Sequence, residues 1–123
     1  MARILVIEDN ADSLELAAYL LQAAGHRADG ASAGEAALAA ARQDPPDLIL
    51  CDLQLPGMDG FAVLRGLRQE PRLCAIPVVA VTAYAMVGDH ERVLAAGFNG
   101  YLSKPIDPEQ FTSQVEAFLP RRS

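Results

Sequence analysis

The chain has 123 residues, 51% of them hydrophobic, and a formal net charge of −6. That length suits one domain with a full core, while an acidic balance without clustered Lys and Arg argues against direct nucleic-acid binding. No apolar run is long enough to cross a membrane, and the N-terminus MARILVIEDN turns acidic too early for a signal peptide, so the expectation is a cytoplasmic protein without membrane insertion. Cys51 and Cys74 are read as reduced core thiols. With His26 and His90 isolated in sequence, no zinc spacing exists.

Taken in order, the chain alternates apolar runs with helical patterns. Ile4 to Ile7 predicts a first strand ending at Glu8, Asp9 and Asn10. Leu14, Ala17, Ala18 and Leu21 then follow helical spacing, with Asp12 and Glu15 as a capping box and Gly25 as a stop. A short second strand lies near Arg27 to Asp29, and Ser32 with Glu35 predicts the start of an alanine-rich helix that Pro45 and Pro46 terminate.

The third strand, Leu48 to Cys51, is continuously apolar, as a central parallel strand covered on both faces should be, and it delivers Asp52 to its end. Pro56 and Gly57 turn the chain. Asp59 caps a helix with apolar positions Phe61, Val63, Leu64 and Leu67. Pro77 opens a fourth strand, Val78 to Val81, ending in Thr82; Asp89 is the expected cap of a helix that stops at Gly97. Gly100 to Leu102 is the fifth strand, followed by Ser103, Lys104 and Pro105. Asp107, Pro108 and Gln110 supply cap, first position and third position for a last helix carrying Phe111, Val115, Phe118 and Leu119.

No internal repeat or linker interrupts this pattern, so residues 1–123 read as a single (βα)5 domain with a parallel sheet and right-handed crossovers. The carboxyl ends of all the strands then share one edge, where open α/β sheets bind ligands. Glu8 and Asp9, Asp52, Thr82 and Lys104 collect there from four strand ends. Each alone has an ordinary role as a turn former, helix cap or solvated side chain; their joint placement points to a site. Two carboxylates about 4 Å apart repel by roughly 4 kcal/mol at an effective dielectric near 20, so an acid cluster needs a cation or a proton. A hard divalent ion such as Mg²⁺ suits oxygen ligands and keeps positions for phosphate oxygens. With the metal bound, Asp52 is a nucleophile toward phosphorus, Thr82 a donor to a phosphoryl oxygen and Lys104 its counter-charge.

The acidic pair in VIEDN, the acceptor in CDLQLPGMDG, the hydroxyl in VVAVTAY and the lysine and aromatic in GYLSKPID together resemble a receiver domain of bacterial two-component signalling, of the CheY-like group, from Arg3 to about Leu119. The resemblance implies strand order 2-1-3-4-5 and a phosphorylation-dependent switch, a regulator rather than a general enzyme, that assists its own phosphorylation and dephosphorylation. It implies a phosphoryl donor, either a sensor histidine kinase or a histidine phosphotransfer protein, acting on Asp52, and a cis Lys104–Pro105 bond that turns Lys104 into the acid cluster. Asp9 binds Mg²⁺ directly, Glu8 through water, and Gln54 through its backbone carbonyl. Thr82 and Lys104 grip the phosphoryl group, Tyr101 swings inward as Thr82 moves, and the helix 4, strand 5 and helix 5 face becomes the output surface of a monomer or weak dimer. Gln54 and Tyr84 tune the lifetime of the modification, Gln54 by orienting the hydrolytic water and Tyr84 by covering its approach.

Other readings fit less well. A haloacid-dehalogenase-type phosphatase calls for an acid where Gln54 stands, and a flavodoxin-like flavin protein calls for a phosphate-welcoming first loop where Glu8 and Asp9 repel phosphate. An interaction module independent of phosphorylation has no use for the complete set of reactive residues. With FLPRRS after the last helix, the sequence reads as a stand-alone regulator or as a receiver excised from a larger protein.

Overall fold

The computed structural model describes residues 2–83 and 89–119. Its elements alternate as expected: β1 (Arg3–Ile7), α1 (Ala11–Ala23), β2 (Arg27–Ala31), α2 (Gly34–Gln43), β3 (Leu48–Asp52), α3 (Gly60–Arg68), β4 (Val78–Thr82), α4 (Asp89–Ala96), β5 (Gly100–Ser103) and α5 (Phe111–Glu116). The strands form one parallel sheet in the order β2-β1-β3-β4-β5. No helix among the described residues is long and apolar enough to cross a membrane.

Every residue of β3 and β4 is buried, because helices cover both faces of the sheet. Alternation along the strands divides the core in two. Leu5, Ile7, Ile49, Cys51, Val78 and Ala80 point to the face covered by α2, α3 and α4. Ile4, Val6, Leu48, Leu50, Val79 and Val81 pack on the other face against α1 and α5, which contribute Ala17, Leu21, Phe111 and Val115. A one-residue slip of any central strand would exchange these two sets, so packing fixes the register that aligns the strand ends.

Several local expectations are corrected. The cap of α1 is Asn10, whose side chain accepts from the Ser13 amide, in place of the expected box between Asp12 and Glu15. The cap position of α2 is Ala33, with no side-chain hydrogen bond, so Ser32 and Glu35 form no capping box. Asp59 does cap α3, accepting from Ala62 N. Asp89 already lies inside α4 rather than preceding it. The last helix begins later than expected, at Phe111: Asp107 accepts from Glu109 N through its side chain and from Gln110 N and Phe111 N through its carbonyl, so it organises a turn ahead of the helix. Cys51 is a buried free thiol, but Cys74 is exposed and outside the core. Strands β3, β4 and β5 run one residue beyond their apolar runs, because ladder pairing continues past the last apolar side chain, and β2 extends past the expected Asp29 to the buried Ala31.

The start of α3 sits directly on the end of β3. A Cβ at Gly60 would lie 2.7 Å from the Asp52 carbonyl oxygen and 2.8 Å from Leu53 Cα, both backbone atoms that cannot move aside as a side chain would. Gly60→Ala is therefore expected to destabilise the fold by about 1–3 kcal/mol through overpacking. Urea denaturation measures this directly, and an unchanged midpoint would contradict the close approach.

Candidate functional site

Four neighbouring strands, β1, β3, β4 and β5, each send a polar side chain to the same edge of the sheet. Asp52 is the last residue of β3 and is only 5% exposed; Glu8 follows β1 directly and is equally buried, while Asp9 beside it is exposed. Thr82 ends β4 and is buried. Lys104 follows β5, and its backbone amide donates to the Thr82 carbonyl at 2.9 Å, holding the two strand ends together. The Lys104–Pro105 peptide bond is cis, as expected.

The Lys104 ammonium is shared between two acids. Nζ donates to Glu8 Oε2 at 2.8 Å and to Asp52 Oδ2 at 2.9 Å. The remaining carboxylate oxygens face backbone donors: Gln54 N donates to Asp52 Oδ1 at 2.9 Å, and Asn10 N to Glu8 Oε1 at 3.2 Å. The loops after β1 and β3 thus fold back to place amides on the carboxylates they carry.

Electrostatics follow from this geometry. Burial raises the pKa of Glu8 above the ordinary 4.5; the hydrogen bond from Lys104 opposes that rise and the charge of Asp52 adds to it. For Lys104 burial acts to lower the pKa, but hydrogen bonds to Glu8 and Asp52 outweigh it and the net direction is up. The Cys51 thiol, one residue before Asp52, is pushed up by burial, with the Asp52 charge adding to the shift; it is not a nucleophile at neutral pH.

Glu8, Asp9 and Asp52 each offer a carboxylate oxygen, and these oxygens lie within 4.8 Å of one another. A set of hard oxygen donors at this spacing fits a hard divalent cation. The expected cluster is therefore assembled, with Lys104 nearest its two buried acids. Gln54 is exposed beside Asp52. Tyr101 is half-buried on β5, on the α4 side of the sheet. Tyr84 lies outside the described residues. Sequence reasoning missed Gly60, which admits the close approach of α3 to Asp52, and His90, whose ring stacks on Tyr101. A glycine directly after a helix-capping Asp was the available signal for the first; nothing in the sequence paired His90 with Tyr101.

Comparisons with known proteins agree with this geometry. The family model described as response regulator receiver domain matches residues 4–116. The polar-differentiation response regulator DivK of Brucella ovis is 40% identical over 116 residues, covering 94% of each chain. Among solved structures, the Vibrio cholerae chemotaxis protein CheY4 superposes with a TM-score of 0.90 at 28% identity, covering 97% of this chain and 99% of that one. The receiver domain of a sensor histidine kinase from Pseudomonas aeruginosa PAO1, solved with a magnesium ion coordinated in its active site cleft, gives 0.86 at 32% identity, covering 95% and 96%.

The raised pKa of Glu8 carries a testable sign. A carboxylate that holds its proton more tightly when folded contributes stability that is complete below its ordinary pKa of 4.5 and is lost as pH rises through the raised value. In chelator-treated protein, stability from urea midpoints is expected to decline relative to Glu8→Gln as pH rises above the ordinary 4.5. Parallel curves for the two proteins would contradict the assignment.

Proposed function

Because the chain belongs to the response regulator receiver family, we propose that Asp52 is its phosphoacceptor and that the protein is a phosphorylation-dependent switch. The single observation that carries this reading is the buried, strand-end Asp52 sharing one ammonium with Glu8 inside a cluster of oxygen donors. An Asp52 carboxylate oxygen attacks phosphorus and forms an O–P bond. The P–N bond to a donor histidine breaks, and its electron pair returns to the imidazole. The donor is a sensor histidine kinase or a histidine phosphotransfer protein.

Asp9, Asp52 and the Gln54 carbonyl would hold Mg²⁺, with Glu8 acting through water, and the ion would supply charge neutralisation for the phosphoryl oxygens. The chain's own groups do the rest. Lys104 moves its charge from the carboxylates to a phosphoryl oxygen, the buried Thr82 hydroxyl donates to another, and the Gln54 amide remains beside the acceptor. Gln54 orients the water that later hydrolyses the acyl phosphate. Rearrangement at Thr82 and Tyr101 is read out on the α4, β5 and α5 surface by a protein partner in the cytoplasm.

Incubation with acetyl phosphate or a phosphoramidate, followed by mass spectrometry, tests the assignment. Labile label is expected on Asp52 in the presence of Mg²⁺, with none on Asp52→Asn and none after chelation. Labelling of Asp52→Asn at the wild-type rate, or indifference to chelation, would remove the proposal.

A further inference from the structure

The first turn of α4 meets β5 through two rings. His90 and Tyr101 stack with centroids 3.7 Å apart and planes inclined by 18°, closer than the roughly 4.5–7 Å usual for aromatic pairs. His90 Nε2 is buried and has no hydrogen-bond partner, the one such side-chain atom found among the described residues. A buried ring nitrogen left unpaired is destabilising, whereas ring stacking is stabilising, so the two features of this contact oppose each other.

The opposite end of α4 is fastened. Arg68 at the end of α3 donates from Nη2 to Gly97 O at 3.3 Å and to Asn99 Oδ1 at 3.0 Å, and from Nη1 to Cys74 O at 3.0 Å and Ile76 O at 2.8 Å. Phe98, just beyond α4, is buried and meets the Phe61 ring edge-on. Motion of α4 is therefore easiest at the end that carries His90.

Tyr101 is positioned to transmit such motion. It pairs in register with Ala80, and Ala80 and Thr82 lie on the same face of β4 by strand alternation. The Tyr101 ring thus has a small residue beside it and the site hydroxyl diagonally beyond. A ring displaced toward Thr82 leaves the present stack.

We propose that His90 is a positioning residue that latches Tyr101 in the resting state, with its stack and its unpaired nitrogen holding the latch near balance. This regulation rests on the reading of Asp52 as the phosphoacceptor. His90→Ala removes the stack and frees Tyr101, favouring the activated state. His90→Phe keeps a stacking ring and removes the buried nitrogen, favouring the resting state.

The test is the apparent affinity of the full chain for beryllofluoride with Mg²⁺, a phosphoryl mimic, followed by NMR of the backbone amides around Asp52. Relative to wild type, His90→Ala is expected to bind about two- to tenfold more tightly and His90→Phe about two- to tenfold more weakly. In a Tyr101→Ala background both substitutions should be silent. A role limited to packing would lower the melting temperature without moving affinity in opposite directions. Shifts in the same direction, no shifts, or shifts that persist without Tyr101 overturn the latch while leaving the phosphoacceptor intact. Failure of the wild-type protein to bind beryllofluoride, or equal binding by Asp52→Asn, overturns the phosphoacceptor reading itself.

Discussion

One ammonium group shared by two buried carboxylates is the constraint around which this protein is arranged. Glu8 and Asp52 are each about as buried as neighbouring core residues, yet each is an acid, and the edge they occupy includes Asp9 as well. Burying like charges together is costly unless a cation is shared between them. Lys104 provides that cation at 2.8 and 2.9 Å, and backbone amides of Asn10 and Gln54 take the remaining oxygens. The opposing influences at the site express the same balance: burial raises Glu8, while the paired carboxylates raise Lys104 against the effect of burial.

The parallel sheet makes this balance possible. Ile7 pairs with Cys51, Cys51 with Ala80, and Thr82 with Ser103, so the residues after β1 and β5 and at the ends of β3 and β4 reach one edge together. Helices on both faces bury the strands up to that edge, leaving Glu8 and Asp52 5% exposed, and α3 begins close against Asp52 because Gly60 has no Cβ to obstruct it. A divalent cation or a phosphoryl group would change the balance that Lys104 now satisfies, and Thr82 and Tyr101 lie on one face of adjoining strands, with the Tyr101 ring stacked on His90 of α4.

Much of this was legible in the amino-acid order. Leu48 to Cys51 and Val78 to Val81 are continuous apolar runs because both faces are covered, and a strand that is buried throughout announces its end when a polar residue appears. Gly25 and Gly97, at positive φ, ended their helices as expected. Helix starts were less legible, since Asp12, Ser32 and Asn10 are all acceptable caps and only the path of the preceding loop selects among them. Contacts between distant elements were not legible at all. His26, isolated in sequence, accepts from Ala2 N and meets Glu116 Oε2 at 2.7 Å, tying the start of β1 to the end of α5. Arg68 and His90 similarly acquire their roles from the packing of α3, α4 and β5, which no local pattern encodes.

Calorimetric titration of Mg²⁺ into Lys104→Met, compared with wild type, tests most directly whether this lysine neutralises the acid cluster. Methionine keeps much of the side-chain length and removes the charge that competes with the metal. At about 4 Å the repulsion between a divalent ion and an ammonium is roughly 8 kcal/mol at an effective dielectric near 20, and solvent screening reduces what survives. The account predicts Mg²⁺ binding at least several-fold tighter in Lys104→Met, with a larger rise in melting temperature on adding Mg²⁺ than wild type shows. Unchanged or weaker Mg²⁺ binding would contradict it.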